Sequence, residues 1–115
     1  MKEVVLSSGQ YGWFFEKGKT AILYFHGNTG QNADFVGFLE PYMKKGWTVF
    51  MAEYPGYGKN TGKPSEKEMI KNGIEAYDFL KKKGYKDVII HGFSIGTGVA
   101  LGVAEKRTPK ALVLE

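Results

Sequence analysis

Four short runs of strand-forming residues, separated by stretches of helical period, constrain this chain more than any other feature. Thr20-Ala21-Ile22-Leu23-Tyr24-Phe25 is apolar without a break from Ala21 onward. Thr48-Val49-Phe50-Met51-Ala52, Val88-Ile89-Ile90 and Ala111-Leu112-Val113-Leu114 repeat the pattern. A strand with one wet face alternates apolar and polar side chains, whereas an unbroken run suits a strand covered on both faces, as in a parallel sheet flanked by helices.

The segments between these runs read as the covering helices. From Asn32 to Lys45, Phe35, Phe38, Leu39 and Tyr42 recur at three- and four-residue spacing, which predicts one buried helical face. Gly37 and Pro41 weaken that helix, because proline lacks a backbone donor and can kink it. From Ser65 to Lys83 the pattern is cleaner: Ser65 and Glu68 form a capping box after Pro64, Met69, Ile70, Ile74, Tyr77 and Leu80 make an apolar stripe, and Gly84 ends it. A third helix, from about Ser94 to Lys106, is apolar on nearly every side and is expected to be largely buried.

Ahead of all this, Val4–Leu6 and Tyr11–Phe15 flank Ser7-Ser8-Gly9-Gln10 as a short amino-terminal β-hairpin. The order is therefore hairpin, then β-α-β-α-β-α-β. Such alternation predicts an α/β fold, a mostly parallel sheet with helices on both faces, in a single domain over residues 1–115.

Composition excludes several classes. With 43% hydrophobic and 24% charged residues the chain reads as soluble and globular. The absence of cysteine rules out disulfides and thiolate metal sites. No run approaches the roughly 18 apolar residues of a membrane span. Residues 1–9 contain Lys2 and Glu3 and no long apolar stretch, so no secretory signal is expected and a cytoplasmic location is the default. The net charge of +4 gathers in Lys44-Lys45 and Lys81-Lys82-Lys83. Beside turn glycines at helix ends, these lysines read as solvated charge that suits the helix dipole, not as a nucleic-acid surface.

The strongest chemical signal is His91-Gly92-Phe93-Ser94-Ile95-Gly96-Thr97-Gly98, with its Gly92-x-Ser94-x-Gly96 core. It follows an apolar strand and opens a helix, the setting of a nucleophile elbow: a sharp, strained turn that lifts a serine hydroxyl above the sheet beside a helix amino terminus. Two blander readings stand beside it. Ser94 could simply cap the helix, and Gly96, Gly98 and Gly102 could serve only close helix–sheet packing. A phosphate-binding loop is weaker still, since neither G-x-G-x-x-G nor Walker spacing is present. The second signal is Phe25-His26-Gly27-Asn28-Thr29-Gly30, between the first long strand and the first helix. An acyl-transfer enzyme needs two donors aimed at a developing oxyanion, and the backbone N–H groups of Ile95 and Asn28 are the candidates. The same loop could be an ordinary Gly/Asn turn.

Three segments in order, Phe-His-Gly-Asn at 25–28, Glu-Tyr-Pro-Gly-Tyr-Gly-Lys-Asn at 53–60 and His-Gly-Phe-Ser-Ile-Gly at 91–96, resemble the α/β-hydrolase superfamily, particularly its serine esterases, acylglycerol lipases and aminopeptidase-like members. Glu53 and Pro55 stand where that family usually has Asp and Arg. The resemblance implies an α/β-hydrolase fold stopping after about the sixth strand. It also implies a small-molecule acyl substrate, a nucleophile at Ser94, oxyanion donors at Asn28 and Ile95, and no metal or organic cofactor.

In that superfamily the acid and the histidine follow the nucleophile. Here only Glu105 and Glu115 follow Ser94 as carboxylates, and both histidines, His26 and His91, precede it. The family's counterpart of His26 is usually structural. His91, three residues before Ser94 on a strand, is not expected to reach over the turn. Glu105 reads as a surface charge, and Glu115 lies near where some members place an acid. The expectation is a serine hydrolase that is a truncated, split or cut product, poorly active or inactive by itself. The alternative is a non-catalytic remnant that pairs its last strand, Ala111–Leu114, with a second copy or a complementing half.

Overall fold

The structure, a computed structural model, describes residues 2–26, 36–54 and 65–115. Its elements are β1 (Lys2–Val5), β2 (Tyr11–Phe15), β3 (Thr20–Phe25), α1 (Val36–Lys44), β4 (Thr48–Ala52), α2 (Glu66–Lys82), β5 (Asp87–Gly92), α3 (Gly96–Lys106) and β6 (Ala111–Leu114). The strands form one sheet in the order β1-β2-β4-β3-β5-β6. β1 and β2 make the expected hairpin, and β2 joins β4 antiparallel; β4, β3, β5 and β6 run parallel.

The unbroken apolar runs of β3 and β4 have the predicted cause, whereas β6, expected to be covered on both faces, lies at the sheet edge and is largely exposed. β3 sends Ile22 and Tyr24 to one face, where they meet Leu39 of α1 and Val49 and Met51 of β4. Its Ala21, Leu23 and Phe25 go to the other face, into a larger core with Tyr77 and Leu80 of α2 and Val99 and Val103 of α3. Among the described residues, helices thus cover both sides, with α1 on one and α2 and α3 on the other.

Local chemistry sets the helices. The Ser65 hydroxyl accepts the N–H of Glu68 at 3.2 Å and starts α2, whose first turn carries Glu66 and Glu68 and whose last turn carries Lys81 and Lys82, each sign opposite to the dipole end it faces. α1 runs through Pro41; the carbonyl that proline cannot serve belongs to exposed Gly37, within reach of water. The expected first residues of that helix, 32–35, lie outside the described residues.

Two features of α3 differ from expectation. It starts at Gly96, two residues late, because Ser94 has φ 55° and cannot belong to a right-handed helix. It is also not buried all round: Gly96, Val99, Ala100 and Val103 face inward, while Leu101 is 51% exposed. The inward set follows the i, i+3, i+4, i+7 stripe of an amphipathic helix, and the apolar residues outside it obscured that stripe in the sequence. α3 lies close against α2, where a Cβ at Gly102 would sit 2.3 Å from Ile70 and one at Gly73 would sit 2.6 Å from Val103.

Candidate active site

The carboxyl ends of β3 and β5 lie side by side, with Phe25 opposite Gly92. The chain passes from β4 to β5 across β3, so this end of the sheet is where neighbouring connections diverge, the usual place for a ligand crevice in an open α/β sheet. Ser94 stands there, exposed, between the last residue of β5 and the first of α3.

The turn is tight and fully specified. The Phe93 N–H donates to the Phe25 carbonyl at 3.0 Å and extends the β5–β3 ladder one residue. Gly96 N–H donates back to Phe93 at 2.9 Å, and Thr97 donates to the Ser94 carbonyl from both its N–H (2.9 Å) and its hydroxyl (2.7 Å). Ser94 is the only non-glycine residue at positive φ among the described residues. A side chain in that region costs on the order of 1–2 kcal/mol, so it is held only where the surroundings enforce it. The flanking glycines have a steric cause. A Cβ at Gly92 would lie 2.4 Å from the Gly96 carbonyl oxygen, and one at Gly96 would lie 2.2 Å from that of Phe25.

This geometry removes one of the readings left open by the sequence. The residue at the N-cap of α3 is Ile95, itself in helical conformation, and no side chain caps the helix. Ser94 is therefore not a capping serine. Ile95 sits at the mouth of α3, 42% exposed. Asn28 and the rest of its loop, like residues 55–60 of the middle segment, lie outside the described residues.

Both histidines are buried and engaged. His26, one residue beyond β3, has its Nε2 3.2 Å from Glu53, one residue beyond β4, and its ring lies against Tyr54 with centroids 4.2 Å apart. The Tyr54 hydroxyl donates to the His26 carbonyl at 2.8 Å. His91 points to the α1 face: its Nδ1 meets the Tyr42 hydroxyl at 2.8 Å and its Nε2 meets the Glu115 carboxylate. Tyr24 packs edge-on against the same ring. Burial, then the negative charge of Glu115, pushes the Tyr24 hydroxyl up to about 12 and raises Tyr42 in the same direction. Glu105 is exposed on α3.

The pairings His26–Glu53 and His91–Glu115 are what sequence reasoning missed. Each joins neighbouring strands near their carboxyl ends, so the signal lies in the strand order, which a linear reading does not supply. Among the described residues no three His, Asp or Glu side chains gather as a metal ion would require, and no helix is long and apolar enough to cross a membrane. Two surface grooves, of about 610 Å³ beside Leu6 and Phe79 and about 520 Å³ beside Lys17 and Tyr85, lie away from Ser94.

The family model described as the alpha/beta hydrolase fold matches residues 20–114. The chain is 37% identical over 102 residues to lysophosphatidylserine lipase ABHD12 of Gallus gallus, covering 82% of this chain and 27% of that protein. It is 32% identical over 110 residues to the uncharacterized protein MT2364 of Mycobacterium tuberculosis, covering 90% of this chain and 39% of that one. Among solved structures, a thermostable carboxyl esterase from Bacillus coagulans superposes with a TM-score of 0.79 at 15% identity, over 98% of this chain and 42% of the esterase. The N-acyl homoserine lactonase AidH does so at 0.76 and 20%, over 99% and 44%. At these identities the structural likeness speaks for the fold. The chain thus spans well under two thirds of the relatives it matches.

Proposed function

This chain belongs to the α/β-hydrolase family, and we propose that it carries, at Ser94, the nucleophile of a serine hydrolase acting on carboxylic esters or related acyl compounds. The observation that carries this reading is the strained, exposed Ser94 held between two glycines where any Cβ would clash with neighbouring backbone. In the proposed reaction the Ser94 hydroxyl attacks the acyl carbonyl, and its proton passes to a base. The N–H groups of Ile95 and Asn28 hold the oxyanion, the alcohol leaves, and water hydrolyses the acyl-enzyme. The lysophosphatidylserine lipases among the relatives support a lipid ester as the substrate class.

The base is proposed to lie outside these 115 residues. His26 is wholly buried beside Glu53, and His91 is committed on both nitrogens to the other face of the sheet. A base must come within hydrogen-bond reach of the hydroxyl it serves, and both histidines are engaged with other groups.

The test is intact mass after exposure to a fluorophosphonate, with and without added imidazole as a substitute base, for the wild-type chain and Ser94→Ala. Slow single labelling that imidazole accelerates, absent from Ser94→Ala, is the expected result. Equal labelling of the two chains would overturn the assignment of Ser94.

A second reading, association without catalysis, draws on β6. It is the edge strand next to β5, and its Leu112 and Leu114 are 37% and 43% exposed. Such an edge invites pairing with another chain. Mass determination in solution distinguishes it, with a dimer that dissociates on Leu112→Lys as the outcome in its favour.

A further inference from the structure

Three contacts converge on Glu115. Its N–H donates to the Gly92 carbonyl at 2.9 Å, its main-chain oxygen accepts the Ser94 N–H at 2.8 Å, and its carboxylate meets His91 Nε2. The other nitrogen of His91 meets the Tyr42 hydroxyl at 2.8 Å. With Tyr42 donating to Nδ1, the proton of a neutral imidazole sits on Nε2 and points at the carboxylate, so each polar group finds its complement. A continuous line runs from α1 through β5 to the residue after β6, and from there to the main chain of Ser94.

The burial of the two partners is unequal. The His91 side chain is 9% exposed and that of Glu115 is 56% exposed. A half-exposed carboxylate adds little to global stability. Its bond to a ring fixed from behind by Tyr42 and Tyr24 instead sets where the Glu115 main chain lies, and that main chain accepts the N–H of the one residue whose conformation most needs support.

We propose that His91 is a positioning residue for Ser94: it orients Glu115, and the main-chain oxygen of Glu115 pins the left-handed turn from which the Ser94 hydroxyl projects. The consequence for catalysis rests on the reading of Ser94 as nucleophile; the relay of contacts does not.

The experiment is amide hydrogen exchange by NMR on the 115-residue chain, comparing Ser94 with Ile90 in the middle of β5. In His91→Phe and Glu115→Ala, Ser94 is expected to exchange about tenfold faster relative to Ile90 than in the wild type. Glu115→Gln, whose side-chain oxygen still accepts from Nε2, is expected to stay within about twofold of the wild type. Wherever fluorophosphonate labels the wild type, the labelling rate should fall in the same two variants and recover in Glu115→Gln. A Ser94 ratio unchanged in Glu115→Ala, or Ser94 and Ile90 accelerating equally, would overturn the proposal, the latter by reducing His91 to support for the fold. Glu115→Ala, at an exposed position, keeps the test readable should His91→Phe not fold. A wild type unlabelled even with imidazole added, with the exchange pattern intact, would remove the nucleophile and leave the positioning role.

Discussion

Gly96 and Phe25 approach so closely that a Cβ on residue 96 would stand 2.2 Å from the Phe25 main-chain oxygen. The obstacle is backbone in the centre of the sheet, which cannot swing aside as a side chain would. Gly96→Ala should therefore cost about 3 kcal/mol in urea unfolding, the upper part of the range for overpacking. Gly98, two residues on, is the control: a Cβ there would find only Glu66 Oε2 at 3.8 Å. Gly98→Ala should be neutral or stabilising by up to about 1 kcal/mol, through the helix propensity it gains.

Ser94 itself is a source of strain. Replacing a left-handed non-glycine residue by glycine removes the clash of Cβ with the neighbouring carbonyl, so Ser94→Gly should raise stability by about 1 kcal/mol. The same variant should take no fluorophosphonate. A chain destabilised by Ser94→Gly would show that the turn is not under strain.

Glu53 and His26 are both buried, with side chains 2% and 0% exposed. Removing one partner leaves the other in a dry site. Glu53→Ala should cost about 3 kcal/mol, measured by denaturant midpoint, as broken buried pairs do. Tyr54→Phe, which removes only the donor to the His26 carbonyl, should cost about 1 kcal/mol.

Stability should fall at alkaline pH. The folded chain holds the Tyr24 proton until about pH 12, against 10.0 ordinarily. A folded pKa raised above the unfolded one gives stability that is fully present below pH 10 and is lost progressively as pH rises toward 12. Burial of Tyr42, Tyr77 and Tyr85 adds in the same direction. Melting temperature followed with tyrosinate absorbance should decline across that window, and Tyr24→Phe should flatten the decline.

At the acid end the sign reverses for Asp78. Its pKa is lowered by the Arg107 guanidinium, which holds it through two hydrogen bonds of 2.7 and 2.8 Å. The stability this confers is present above the unfolded carboxylate pKa and is lost as pH falls through the folded one. Asp78→Asn should therefore be less stable than the wild type near neutrality and converge with it in acid.

The strands and the sharp turn at Ser94 were legible because each is a local pattern: apolar runs, and a serine flanked by glycines where a strand ends. α3 was half legible. Val99, Ala100, Leu101, Val103 and Ala104 give no contrast along the sequence, so composition alone could not separate the inward Val99 and Val103 from the exposed Leu101. The partners of the two histidines were hidden for another reason. Phe25 lies opposite Ala52 and Gly92 opposite Leu114, which brings His26 to Glu53 and His91 toward Glu115. Those meetings depend on which strands become neighbours, a property of the assembled sheet.

The strand order also fixes when the turn can exist. β3 is made early, yet one of its two edges waits for β5, with Thr20 paired to Asp87 across most of the chain. Pairings of such long sequence separation are slow to form, because the intervening loop must lose its freedom first. During synthesis the Phe25 carbonyl therefore has no Phe93 N–H to accept until the ribosome has passed that turn. The Ser94 turn thus assembles later than β3 and β4, and a chain caught before that moment exposes the apolar edge of β3.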